Sequence, residues 1–300
     1  MDAAAQARKI AIIGAGVIGL SWAELARAHG WRVAFSDPRP DLAELVAAEF
    51  PGDAQVEVAA DLAAAVVGAD LVQENGPERL PIKQDLFAQI VAAAPSHAVL
   101  ATSSSSIPAT PIAADLDDPS RVIVGHPFNP PALMPLVEVV PGERTSEETT
   151  QRAVALYREL GRSPVVLRKE IQGFVANRLQ VAISREARYL VENGVVSVED
   201  LDVALSNSLG LRWAATGLFE GNALGGGPEG ARHLFTGIGA EVGKIPLGTP
   251  SNTPESTEAL IEKVDAAYGT GQENYERLLA RRDRRTRAVL DALRSVDDGA

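Results

Sequence analysis

The chain contains no cysteine. That absence excludes a disulfide framework, a thiol nucleophile and thiolate metal sites, and it agrees with a reducing compartment, so a cytoplasmic protein is expected. Also missing is any apolar run approaching the roughly 18–20 residues that a bilayer-spanning helix needs. The opening MDAAAQARKIAIIGAG runs from one Lys-Ile step straight into glycines, without the apolar stretch and cleavage site of a secretory leader. Positive charge is scarce: 28 Lys and Arg face 40 Asp and Glu, for a formal net charge of −12. Such a chain repels nucleic acid and anionic membrane surfaces, and neither is expected as a partner. None of His29, His97, His126 or His233 has acidic residues at metal-ligand spacing, so no metal is expected. No internal repeat is visible.

What is present is ordinary globular material, 46% apolar and 23% charged over 300 residues, enough for two domains in contact. In the first half, β-branched runs at 10–13, 32–35, 69–73, 98–102 and 122–125 alternate with helical stretches at 20–29, 42–49 and 82–93. The strands read as continuous apolar segments (AIIG, ADLV, RVIV), as strands buried on both faces do. This alternation predicts an α/β fold, a Rossmann-type doubly wound parallel sheet. After about residue 170 the strand signals stop. Helical spacing at 173–193 ends on Asn193-Gly194, Ser197 opens another helix with Asp200 three residues on, and 273–296 reads as an exposed, salt-bridged helix. The glycine-rich 221–230 and proline-bearing 243–257 read as loose. The expected division is a dinucleotide-binding domain over 1–170 and an all-helical domain over 171–300.

Gly14-Ala15-Gly16-Val17-Ile18-Gly19 is a GxGxxG sequence that follows a strand and opens a helix, with Asp37 at the end of the next strand. Each part has a physical task. Gly14 permits the tight turn, Gly16 lets a pyrophosphate approach the backbone, and Gly19 lets helix and strand pack closely. The helix N-terminus at Val17 and Ile18 faces the phosphates with unpaired N–H groups. Asp37 accepts from the adenosine ribose and repels a 2′-phosphate, so the expected cofactor is NAD rather than NADP.

A second constellation is Gly125-His126-Pro127-Phe128-Asn129-Pro130-Pro131, followed by the strand 136–140 that Glu138 interrupts. His126 falls at the carboxyl edge, where open α/β sheets bind ligands. Carbinol oxidation needs a base to take the hydroxyl proton as hydride leaves carbon, and histidine titrates near neutrality. A carboxylate such as Glu138 in an apolar strand needs a partner if buried.

These segments resemble a known family. HPFNP followed by LVEVV, with SSSSIPAT upstream and GFVANRL downstream, is similar to the 3-hydroxyacyl-CoA dehydrogenase superfamily. HPFNPP, PLVEVVPG and LGLRWA resemble its lambda-crystallin branch, over about residues 8–235. The resemblance implies an NAD-dependent dehydrogenase of a small 3-hydroxy acid, of the L-carnitine or L-gulonate type. It makes His126 the catalytic base with Glu138 as its partner, Ser105 the hydroxyl on substrate oxygen or nicotinamide, and Asn177 the amide on the next domain's first helix. Asn129 lies near the nicotinamide, and Glu78 and Lys83 fall where relatives contact the cofactor. Ser104 and Ser106 compete with Ser105 through a one-residue shift; the family register favours Ser105.

Acyl-CoA relatives carry a lysine-bearing helical insertion after the second strand. Here 37–58 is short and holds one cation, Arg39. A short-chain 3-hydroxyacyl-CoA dehydrogenase is the alternative. A non-catalytic, crystallin-like protein is a further one, opposed by the joint presence of Ser105, His126, Glu138 and Asn177. Trp213 and Phe219 are candidates to face a trimethylammonium group, or to serve as core or contact aromatics. An apolar helical half predicts a homodimer.

Overall fold

Strand β1 (Lys9–Ile13) is buried along its whole length, as its unbroken apolar reading requires. The structure, a computed structural model, describes residues 7–297. After β1 come α1 (Val17–Ala28), β2 (Arg32–Ser36), α2 (Leu42–Glu49), β3 (Val56–Val58), α3 (Leu62–Val66), β4 (Leu71–Glu74), α4 (Leu80–Ala93), β5 (Val99–Thr102), α5 (Ala109–Ile112), β6 (Val122–Pro127), β7 (Leu136–Pro141), α6 (Glu147–Glu159) and β8 (Ser163–Val166). One sheet runs β3-β2-β1-β4-β5-β6-β7-β8. Every pairing from β3 to β6 is parallel; β7 returns antiparallel to β6, and β8 is parallel to β7. The reversal of strand order between β1 and β4 creates the crevice at which such sheets take nucleotides.

Both faces of the sheet are covered. On one, Trp22, Trp31, Leu42, Leu156 and Tyr157 pack over Ile10, Ile12 and Ile123. On the other, Phe87, Ile90, Ile112 and Phe174 pack over Ala11, Val72 and Val124. Strands enclosed this way gain nothing from alternation, which explains why β4, β5 and β6 are buried at every position. The strands and helices expected from the sequence are present in this half, with α2 at the expected bounds. Helix α6 was not anticipated, although its cap is chemically plain: the Ser146 hydroxyl accepts from the Thr149 amide at 3.0 Å.

The chain divides by contact into two units, one ending at Arg178 and one beginning at Leu179. Helix α7 (Ala176–Glu192) spans the division. The second unit continues with α8 (Val198–Ser206), α9 (Leu209–Thr216), α10 (Leu218–Gly225), α11 (Gly230–Thr236), α12 (Ile238–Val242), α13 (Pro254–Tyr268) and α14 (Gln272–Asp297). Ser197 caps α8, its hydroxyl accepting from the Asp200 amide at 3.0 Å. The 221–230 stretch is not loose, as its glycines suggested, but contains the end of α10 and the start of α11. A Cβ on Gly226 would lie 1.8 Å from the Gly230 carbonyl oxygen, so glycine there serves a close backbone approach between the two helices. Likewise α13 occupies 254–257 of the expected second loop.

Beneath the carboxyl edge, Tyr157, fully buried, donates to Gln73 Oε1 at 2.8 Å, and Gln73 Nε2 donates to the Gly125 carbonyl at 3.1 Å. A Cβ on Gly125 would sit 1.8 Å from the Tyr157 hydroxyl, which has no room to retreat. Gly125→Ala should therefore destabilise the protein by about 1–3 kcal/mol. Urea denaturation checks this, and an unchanged midpoint would contradict it.

Candidate active site

The GxGxxG turn follows β1 and leads into α1 as expected. Gly14 has φ +99°, a conformation disfavoured for L side chains, and a Cβ there would stand 2.9 Å from the Asn75 carbonyl carbon. A Cβ on Gly19 would stand 2.0 Å from the Gly14 oxygen. Gly16 differs: nothing lies within 4 Å of its Cβ position, so its backbone faces open space. Helix α1 has no side-chain cap at Gly16 and no acidic residue in its first turn, which leaves its N-terminal N–H groups and positive dipole end free for an anion. Asp37 Oδ2 accepts from the Ala15 amide at 2.7 Å and Oδ1 from the Arg39 amide at 2.9 Å, fastening the end of β2 to the turn. A carboxylate offers about four acceptor positions, so Asp37 retains capacity for ribose hydroxyls. Arg39 pairs with Asp41 through Nε (2.7 Å) and Nη2 (2.8 Å). Gly14, Gly16, Val17, Ile18, Gly19 and Asp37 thus form a cradle that fits NAD.

His126 and Glu138 are direct partners in the antiparallel register of β6 and β7. Directly opposed residues bring their Cβ atoms close, and His126 Nδ1 lies 2.9 Å from Glu138 Oε2. The imidazole is 5% exposed and the carboxylate residue 1%. The other carboxylate oxygen accepts from the amides of Val175 (2.8 Å) and Ala176 (3.0 Å), at the start of α7. Burial alone would raise the Glu138 carboxyl, but the hydrogen bonds from His126, Ala176 and Val175 outweigh it and hold the group below the ordinary carboxylate range. A carboxylate can only accept, so Nδ1 carries a proton, and in the neutral imidazole Nε2 keeps its lone pair. Phe174 and Phe128 bring rings to 5.3 and 6.1 Å from the imidazole.

Ser103 to Ser106 form the turn after β5. Ser103 is consumed by a network: its hydroxyl receives from Gln73 (2.8 Å) and Trp22 (3.2 Å) and donates to Asn75 Oδ1 (2.7 Å). Glu78 Oε1 accepts from the hydroxyls of Ser104 (2.7 Å) and Ser106 (2.9 Å) and from the Ser106 amide (2.8 Å). Ser105 alone of the four is exposed, and its hydroxyl makes no hydrogen bond within the described residues. Asn177 Nδ2 lies 3.4 Å from the Ser105 carbonyl oxygen. Hydrogen bonds therefore run continuously from His126 through Glu138 and the start of α7 to the serine turn. Asn129 is exposed in the β6–β7 connection and is not bonded to any of these groups among the described residues.

Lys83, expected at the cofactor, is enclosed at 1% exposure, with its ammonium 2.8 Å from Glu74 Oε2 and 3.7 Å from Glu78 Oε2. It presents no free charge to a ligand and instead anchors the acids that hold the serine turn. Glu74 was not anticipated. Its signal was an acid closing the apolar run of β4, which when buried demands a cation, and Lys83 lies nine residues on.

The turn and the dyad define an NAD-dependent dehydrogenase acting on a CH–OH group. The 3-hydroxyacyl-CoA dehydrogenase NAD-binding domain matches residues 51–171, and the 3-hydroxyacyl-CoA dehydrogenase C-terminal domain matches 173–276. An L-carnitine dehydrogenase of Nocardiopsis dassonvillei is 40% identical over 97% of this chain and 93% of its own. A 3-hydroxyacyl-CoA dehydrogenase of Gibberella moniliformis is 43% identical over 78% of each. Among solved structures, an NAD-dependent dismutase, 5-formyl-3-hydroxy-2-methylpyridine 4-carboxylic acid 5-dehydrogenase, superposes with a TM-score of 0.81 at 30% identity, covering 96% of this chain and 99% of that one. The chain belongs to the 3-hydroxyacyl-CoA dehydrogenase family, and its cofactor is NAD.

Because the Glu138 carboxyl is held below its unfolded value, its contribution to stability is complete above the unfolded carboxylate range and is lost as pH falls through and below that range. Glu138→Gln removes that contribution, so the decline in stability on acidification should become shallower than in the parent. Thermal melts between neutral and acidic pH check this; parallel curves for the two proteins would contradict the assignment.

Proposed function

We propose that this enzyme transfers hydride between NAD and the hydroxyl-bearing carbon of a small, free 3-hydroxy acid, L-carnitine or a close relative, with His126 taking or returning the hydroxyl proton. The observation that carries the reading is the His126–Glu138 pair, which leaves Nε2 basic at the sheet edge that also carries the dinucleotide turn. In the oxidation direction the substrate O–H proton passes to Nε2, and the O–H electron pair forms the carbonyl as hydride departs from carbon. NAD, when bound, supplies the hydride acceptor. Glu138 stabilises the imidazolium so formed and keeps its ring in one orientation. Ser105 and Asn177 are assigned to the substrate oxygen and Asn129 to the nicotinamide side. Glu78 and Lys83 are assigned to the cofactor site through the turn they brace.

The substrate assignment is supported by the lack of any site for a CoA pyrophosphate after β2. That region is acidic, and Arg39, its one cation, is held by Asp41. The L-carnitine dehydrogenase relative extends over nearly the whole chain. A short 3-hydroxyacyl thioester is the second reading, favoured by the identity to the Gibberella enzyme. His126→Ala should cut turnover about 10²–10⁴-fold while leaving NAD binding intact. Turnover near the parent's would refute the base assignment. kcat/KM for L-carnitine, L-gulonate, 3-hydroxybutyrate and 3-hydroxybutyryl-CoA, compared under one condition, decides the substrate. A thioester advantage above about tenfold, roughly 1.4 kcal/mol, replaces the free acid by the thioester.

We assign residues up to about 170 to NAD binding and those from 171 to substrate binding and dimerisation, in the cytoplasm. The dimer is supported by α8 to α13, none of which holds a buried residue, and by exposed Leu211, Phe219 and Leu224 at 62%, 74% and 66%. Helices that bury no apolar stripe within their own chain need a partner surface, and a second copy supplies it. Sedimentation equilibrium at micromolar concentration should give a dimer, with Leu211→Glu and Phe219→Glu together shifting it to monomer. A monomeric parent contradicts this.

A further inference from the structure

We propose that Phe174 is a positioning residue for the His126–Glu138 pair, orienting the imidazole through its ring and the carboxylate through its backbone, an inference that rests on His126 being the base. Phe174 has φ +52° and is the one non-glycine residue with positive φ among the described residues. A bulky side chain disfavours that conformation, so the surroundings must hold it there. They do: the ring is 0% exposed within the core of one sheet face, and the Phe174 amide donates to the Ile171 carbonyl at 3.0 Å. Gly173 before it, at φ +76°, completes the reversal that brings the chain from β8 into α7.

The conformation has two consequences at the site. First, it turns the next two amides, Val175 and Ala176, onto the same Glu138 oxygen at 2.8 and 3.0 Å. A right-handed or extended residue at 174 would send those N–H groups in another direction, and the buried carboxylate would lose two of its three donors. Second, it sets the phenyl ring 5.3 Å from the imidazole centroid, tilted by 49°. A buried ring at that distance packs against the imidazole and restricts its rotation, which keeps Nδ1 aimed at Glu138. Glu138 is the charged group bonded to the imidazole among the described residues, so the phenyl ring and the carboxylate together fix its orientation. One residue thus acts on both halves of the dyad, on the imidazole through its ring and on the carboxylate through the two amides that follow it.

Phe174→Leu keeps apolar volume but loses the ring, and Phe174→Gly releases the backbone as well. In both, NAD affinity, measured by fluorescence titration, should stay at the parent value and so report folding. Turnover should fall about 10–10²-fold, as for a misplaced catalytic group. The pH profile of the oxidation rate should change as well, because the imidazole is no longer held in one orientation against its carboxylate. A purely structural role would lower the melting temperature while leaving kcat and the pH profile in place, and that result overturns the proposal. Should both variants fail to fold, the parent decides by NMR. The His126 ring protons should be displaced by the Phe174 ring current, and undisplaced resonances overturn the proposal. Inactive His126→Ala with unaltered kinetics in Phe174→Leu refutes this inference alone; active His126→Ala refutes the base assignment beneath it.

Discussion

The buried Glu138 carboxylate is the interaction on which the rest of the site depends. A charge withdrawn from water is unfavourable by several kcal/mol unless hydrogen bonds and opposite charge replace its hydration. Here the replacement comes from three directions: His126 Nδ1 across the strand pair, and two amides from the start of α7. The carboxylate therefore fixes the tautomer of the imidazole, and it also fixes where α7 begins. Asn177, one residue into that helix, is placed by the same bonds. An apolar residue at 138 would keep the strand and lose the register between sheet, imidazole and helix.

The direction of β7 makes this possible. Strands β1 and β6 run parallel within the sheet, so the dinucleotide turn and His126 emerge on one edge. Had β7 followed through another parallel crossover, its matching residue would have come from a distant point of the chain. Instead the chain doubles back after the Pro-rich segment, and the residue twelve positions on lies opposite His126. Antiparallel pairing at the end of an otherwise parallel run thus converts a local sequence interval into a buried hydrogen-bonded pair, the one proposed above as catalytic.

That interval is also why so much was legible in the sequence. The glycine turn, Asp37 and the apolar strands each obey local rules, and local rules survive without knowledge of packing. His126 and Glu138 were legible because a carboxylate in an apolar strand is chemically costly and announces a partner. The surroundings of Lys83 were not legible for the complementary reason: its cationic character was visible, but the burial that pairs it with Glu74 arises only when α4 packs on β4 and β5. The glycines at 221–230 misled because glycine signals both freedom and close approach, and only the path of α10 and α11 distinguishes the two. The left-handed Phe174 left no local trace, since nothing in Gly173-Phe174 requires it until the ring finds the sheet core.

The serine turn carries the argument to its last step. Three of its four hydroxyls are bound internally, Ser103 by the Gln73–Trp22–Asn75 network and Ser104 and Ser106 by Glu78. Glu78 is itself held below the ordinary carboxylate range: burial opposes its charge, but the Ser104 and Ser106 bonds and the nearby Lys83 ammonium prevail. An acid that stays ionised can keep accepting, so the turn stays closed around it. Binding three hydroxyls to leave the fourth exposed makes one donor-acceptor available in a fixed place. That is preorganisation in a concrete form, because the ordering of the turn is completed in folding rather than when a ligand arrives. The same logic runs through the dyad, where Nδ1 and both carboxylate oxygens are already bonded, so Ser105 Oγ and His126 Nε2 are left without a partner among the described residues, as the roles proposed for them require.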